Sequence, residues 1–152
     1  MNDNDALNIM LALNRQKDRR FFMEALKDTK VRTTLDILDD GVQVMKYLYS
    51  PGNRLPQIIF LDMEIPVKGA IDYLVEIRTD KRFSDLAVAI YSSTGSEEII
   101  EESFIKGANI YLKKTDDPFL LKNAVSQIIT LSWQYHTSGM LSENFLLNVT
   151  SW

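Results

Sequence analysis

The chain has 152 residues and a formal net charge of −4; 45% of its residues are hydrophobic, 25% are charged, and there is no cysteine. That balance fits one globular domain with a single core, plus at most a short appendage, and argues against disorder. The acidic balance and the lack of a basic stripe argue against a nucleic-acid partner, because neutralising phosphates takes clustered Lys and Arg. Without cysteine there is no disulfide scaffold, thiolate metal site or cysteine nucleophile. The start, Met1-Asn2-Asp3-Asn4-Asp5, is acidic and lacks the basic opening of a secretory signal, and the apolar runs are strand-sized rather than membrane-spanning. A cytoplasmic location with no membrane partner is the expectation, which makes the sequon Asn148-Val149-Thr150 a chance match.

In chain order, Ile9 to Leu13 reads as a first buried strand, followed by a helix carrying Phe22 and Leu26 at i, i+4. Val31 to Leu38 alternates polar and apolar residues, as an edge strand with one wet face does. Val42, Met45 and Leu48 mark a second helix and Ile58 to Leu61 a second buried run. Ile71, Leu74 and Ile77 give a third helix, and Leu86 to Tyr91 another buried strand. Ser96 with Glu97 and Glu98 opens a helix through Ile100 and Phe104, its acids favoured by the helix dipole. Ile110 to Leu112 is the last strand. Asp117 then caps a long helix with Pro118 in its first turn and an apolar face of Leu121, Val125 and Ile128 reaching Ser132.

The alternation of strand and helix predicts an α/β fold, a doubly wound five-stranded parallel sheet of flavodoxin-like order 2-1-3-4-5. Buried parallel strands read as continuous apolar runs, as four of these do. Ligands of such sheets sit beyond the carboxyl ends of the central strands, here Leu13-Asn14, Asp62 and Ser92.

A carboxylate at the end of a central strand can act as a nucleophile toward a phosphoryl group, provided that a cation offsets the incoming charge. Asp62 directly follows Ile58-Ile59-Phe60-Leu61 and is that candidate. Taken singly, Asp62 reads as a loop cap, Ser92 as a turn residue and Lys114 as a solvated charge. Their places at the ends of three successive strands favour a joint site, with the Ser92 hydroxyl and the Lys114 ammonium serving phosphoryl oxygens.

Three segments then carry a family resemblance. Pro56-Gln57-Ile58-Ile59-Phe60-Leu61-Asp62-Met63-Glu64-Ile65-Pro66 resembles the phospho-acceptor segment of response-regulator receiver domains, the chemotaxis receiver among them. Tyr91-Ser92-Ser93-Thr94-Gly95-Ser96-Glu97-Glu98 resembles their switch-hydroxyl loop, and Gly107-Ala108-Asn109-Ile110-Tyr111-Leu112-Lys113-Lys114 their Gly-Ala-x-x-Tyr-Leu-x-Lys segment. The similarity runs from about Leu7 to Trp133. It implies Asp62 as phospho-acceptor, Ser92 as switch hydroxyl, Tyr111 as switch aromatic and Lys114 as the family lysine. The partner it implies is a sensor histidine kinase or a histidine phosphotransfer protein. His136, the one histidine, lies past the last strand and is expected on the surface rather than as a donor.

The departures from the family concern the metal. Receivers bind Mg²⁺ with an acidic pair after the first strand, where this chain has Leu13-Asn14. The resemblance leaves Asp62, the Asn14 side chain and the Glu64 backbone carbonyl as a weak Mg²⁺ set. Losing one carboxylate beside the ion costs up to about 4 kcal/mol at ~4 Å and an effective dielectric of ~20, about a hundredfold or more in affinity. Leu13→Asp with Asn14→Asp is the change expected to rebuild the site. Arg15 and Lys17 add cations at the same mouth, either of which could take the place of the metal. Ala70 aligns with the family's loop glycine, one residue after Gly69, and Thr115 replaces the proline that often follows the lysine in a cis bond.

The domain reading is a receiver over 1–136 and an apolar tail over 137–152, rich in Met140, Leu141, Phe145, Leu146, Leu147, Val149 and Trp152. The tail is expected to cover or extend the face of the last two helices and the strand between them, where receivers meet partners, a homodimer included. The function expected is signalling through phosphorylated Asp62; the alternative is a degenerate receiver that docks or dimerises independently of phosphate. A hydrolase using Asp62 and Glu64 lacks the second acidic cluster it would need, so no enzyme is expected.

Overall fold

The computed structural model describes residues 6–138 and 146–152. The acidic start Met1 to Asp5 and the tail residues Met140, Leu141 and Phe145 lie outside the described residues. Five parallel strands alternate with five helices: β1 (Leu7–Ala12), α1 (Gln16–Leu26), β2 (Thr33–Leu38), α2 (Gly41–Tyr49), β3 (Ile58–Asp62), α3 (Ala70–Thr79), β4 (Ala87–Ser92), α4 (Glu97–Ile105), β5 (Ile110–Lys113) and α5 (Pro118–Ser138). A sixth strand, β6 (Leu147–Val149), follows α5.

The sheet order is β2-β1-β3-β4-β5-β6, so the expected order stands with one strand added. β6 pairs in parallel with β5, placing Ile110 beside Leu147 and Leu112 beside Val149. The five-strand expectation is therefore corrected to six. The reason is local: the tail's Leu147 and Val149 pack against the core, and Leu147 N–H donates to the Asn109 carbonyl at 2.8 Å.

Continuous burial of β1, β3 and β4 follows from helices on both sheet faces. Leu7, Ile9, Leu11, Ile58 and Phe60 face α1 and α5, meeting Phe22, Leu121, Val125 and Ile128. Met10, Ala12, Ile59 and Leu61 face the other way, onto Val44, Leu48, Tyr73, Leu74 and Ile77 of α2 and α3. β2, at the opposite edge, leaves Thr34 and Asp36 in solvent as its alternation predicts, although Ile37 is exposed as well.

Two helix starts hold the segment after β3 in place. Asp40 caps α2 by accepting from Gln43 N–H at 2.7 Å. Gly41 N–H donates to the Pro66 carbonyl at 2.8 Å, while the Tyr73 hydroxyl accepts from Val67 N–H at 3.0 Å. The Tyr73 ring lies so close to Gly41 that a Cβ there would sit 2.0 Å from it, which is why the helix begins with glycine. Gly69 enters α3 at φ +91°, a conformation that suits a residue without a side chain. α5 starts as its sequence predicts, with Asp117 accepting from Phe119 N–H at 2.9 Å. Ser96 precedes α4 but makes no side-chain cap.

Candidate phosphoryl-acceptor site

Parallel strands deliver their carboxyl ends to one edge of the sheet, which brings Leu13-Asn14, Asp62, Ser92 and Lys114 together. Asp62 ends β3 and has no exposed surface. Its Oδ1 accepts from Glu64 N–H at 3.0 Å, and its Oδ2 accepts from Asn14 N–H at 3.1 Å and from Lys114 Nζ at 3.0 Å. Lys114 N–H in turn donates to the Ser92 carbonyl at 2.7 Å, which fixes where the lysine stem leaves the sheet.

The sequence reading missed one residue here. Asp18, in the first turn of α1, also accepts from Lys114 Nζ at 3.0 Å, so a single ammonium bridges two carboxylates. That nitrogen lies 5.1 Å from the centre of the Tyr91 ring. Burial works against the charge on Lys114, but its hydrogen bonds to Asp62 and Asp18 outweigh that and raise its pKa above the ordinary lysine value. Burial, reinforced by the negative charges of Asp18, Asp62 and Asp116, raises the pKa of the Tyr91 hydroxyl.

Ser92 and Tyr111 form a linked pair beside the acid. Ser92 is buried, and its Oγ accepts from Thr94 N–H at 3.2 Å. Tyr111 points inward without exposed surface and donates to the Thr94 carbonyl at 2.9 Å. Burial raises the Tyr111 pKa, while its hydrogen bond with Ser92 pulls the other way. His136 is exposed near the end of α5, its ring 5.7 Å from that of Trp133.

Several expectations for the mouth are corrected. The cation on Asp62 is Lys114; Arg15 is exposed, and Lys17 lies over the Phe21 ring at 5.5 Å. Leu13 is fully buried in the core with Phe22 and Leu121, so it is no empty ligand position waiting for an acid. Asn14 and Glu64 reach Asp62 through their main-chain N–H groups. As the loss of that proline implies, the bond after Lys114 is not cis; the cis peptide among the described residues is Pro66–Val67.

These contacts fit a divalent ion poorly. Mg²⁺ takes hard oxygens and favours negative charge, yet both Asp62 oxygens already accept from nitrogen donors. Among the described residues, no three Asp, Glu, His or Cys side chains converge as a metal site.

A doubly wound sheet of this order, with a buried aspartate, a lysine and a hydroxyl on its carboxyl edge, is the arrangement of response-regulator receiver domains, which the chain resembles. No family model matches the chain. Comparison with known proteins agrees with the class. The chain is 28% identical over 111 residues to response regulator Rcp1 of Synechocystis sp., covering 70% of this chain and 76% of that protein. The solved Mn²⁺-bound form of Rcp1 superposes with a TM-score of 0.73 at 27% identity, covering 80% of this chain and 91% of that one. The phosphorylated cyanobacterial phytochrome response regulator RcpA gives a TM-score of 0.75 at 25% identity, over 88% of this chain and 96% of that one. Among the described residues, no helix is long and apolar enough to cross a membrane.

Proposed function

We propose that Asp62 accepts a phosphoryl group from a cytoplasmic sensor histidine kinase or histidine phosphotransfer protein, and that the chain signals by conformational change rather than by turning over a substrate. One observation carries this reading: the Lys114 ammonium stands 3.0 Å from Asp62 at the carboxyl edge of the sheet, beside Ser92. In the transfer, an Asp62 oxygen bonds to phosphorus while the P–N bond of the phosphohistidine breaks and the imidazole leaves. Lys114 pairs with the phosphoryl oxygens. The Ser92 hydroxyl, now tied to Thr94, turns to donate to one of them, and Tyr111 moves with it as the switch aromatic. In this reading residues 1–136 are the receiver and 137–152 a tail that extends the sheet. Any Mg²⁺ would be held weakly, by Asp62, the Asn14 side chain and the Glu64 carbonyl, and would offset phosphoryl charge there. The solved phosphorylated form of RcpA supports the acceptor role by analogy.

A second reading, a phosphate-independent docking or dimerising module, is favoured by the burial of Leu13 and the absence of exposed surface on Asp62. Intact-mass measurement after incubation with acetyl phosphate and Mg²⁺ separates the two. The acceptor reading expects one added phosphoryl group on wild type and none on Asp62→Asn. An unmodified wild type, or equal labelling of the variant, overturns it in favour of the docking module.

A further inference from the structure

We propose that Asp18 is a brake on the acceptor: it holds Lys114 across Asp62 and has to release it before the carboxylate can be attacked. The proposal builds on the reading of Asp62 as the phosphoryl acceptor.

Asp62 has no exposed surface, so a donor phosphorus cannot approach its oxygens until a neighbouring group moves. Of the three groups that donate to it, two are main-chain amides, Asn14 N–H between β1 and α1 and Glu64 N–H in the turn after β3. Met63 N–H donates to the Tyr91 carbonyl at 2.9 Å and Ile65 N–H to the Asp62 carbonyl at 3.0 Å, which leaves that segment little freedom. The third donor is a side chain, Lys114, and it is the one able to swing.

Asp18 opposes that swing. Its carboxylate takes the same ammonium at 3.0 Å, and only 14% of its side chain and 17% of that of Lys114 are exposed, so water screens the pair less than it would a surface pair. α1 holds Asp18 firmly: Phe22 is buried against Phe60 and Tyr91, and Arg19 donates through Nε and Nη2 to the Leu13 carbonyl. An incoming phosphoryl group therefore meets two obstacles from one residue. Asp18 competes for the lysine that would neutralise the group, and its own negative charge repels it. Both act in the same direction.

The reaction with acetyl phosphate tests this. An Asp62 oxygen bonds to phosphorus, the bond from phosphorus to the acetyl oxygen breaks, and acetate leaves. Asp18→Ala removes the competing charge and should raise the initial labelling rate about tenfold; Asp18→Glu restores a carboxylate and should return the rate toward wild type. Labelling of wild type with Asp18→Ala no faster overturns the brake while leaving the acceptor reading intact, and so does Asp18→Glu labelling as fast as Asp18→Ala. No phosphoryl adduct on wild type or either variant overturns the acceptor reading and the brake together.

Discussion

Lys114→Met keeps most of the side-chain stem and removes the charge that Asp62 and Asp18 share. Asp62 would retain the Asn14 and Glu64 amides but lose the cation touching it, with none of its surface in water. Breaking a buried pair from one side costs ~3–5 kcal/mol, since the abandoned charge stays buried. The two amides and the solvent near Lys114, itself 17% exposed, reduce this to about 2–3 kcal/mol at neutral pH. With a urea m-value of about 2 kcal/mol/M, the unfolding midpoint should fall by roughly 1 M. Asp62→Asn in the same chain should recover most of the loss, because no buried charge is then left without a partner. The pH dependence has a definite sign. Lys114 has its pKa raised on folding, so its contribution is complete below the ordinary lysine value of 10.5 and is lost as pH rises through the folded value. Wild type and Lys114→Met should thus converge at strongly alkaline pH. A difference below about 0.5 kcal/mol at pH 7, or a double variant no more stable than Lys114→Met, would refute the argument that the ion pair compensates Asp62.

Asn14→Asp alone should raise Mg²⁺ affinity at least about tenfold by calorimetry, because a carboxylate is added beside Asp62 at an exposed position; equal affinities would mean that the existing oxygens already suffice. Leu13→Asp should instead cost about 3 kcal/mol or more in a urea melt, since it places a carboxylate in the packed core, and a variant as stable as wild type would contradict that placement. Ending the chain after Ser138 removes β6 and the bond from Trp152 Nε1 to the Lys113 carbonyl at 2.8 Å. The β5 edge is then open to pair with other chains, and sedimentation should show concentration-dependent association; an unchanged monodisperse species would count against it. Gly41→Ala should lower stability by about 1–3 kcal/mol in thermal melts, because the Tyr73 ring has to move off α2, and an unchanged melting temperature would mean that the ring yields freely.

The strands and their order were legible because β1, β3 and β4 are buried on both faces, so their apolar runs are unbroken. The placement of Asp62, Ser92 and Lys114 followed from that order, since parallel strands bring their carboxyl ends to one edge. β6 was not legible as a strand: three residues carry no period of their own, and only pairing with β5 gives them one. Leu13 was misread for a related reason. Alignment by spacing marked it as a lost ligand, but the alternation of β1 carries on past Ala12 and turns Leu13 into the core, on the same face as Ile9 and Leu11.

Asp18 was out of reach for a different reason. An acid in the first turn of a helix is adequately explained by the helix dipole, and nothing near it in sequence marks a partner. Its contact with Lys114 spans 96 positions and exists only once α1 and the end of β5 converge on one edge of the sheet. Its presence changes the charge at the site. Asp62 facing Lys114 alone would make a neutral pair, whereas Asp62, Asp18 and Lys114 together carry one net negative charge. A cation is therefore less disfavoured at this edge than the loss of the acidic pair implies. However, it has to compete with an ammonium already seated between the two carboxylates. If Asp62 is the acceptor, phosphoryl group and Asp18 compete for Lys114 and a metal competes with it, and labelling depends on what Lys114 is paired with as much as on the acids missing at Leu13 and Asn14.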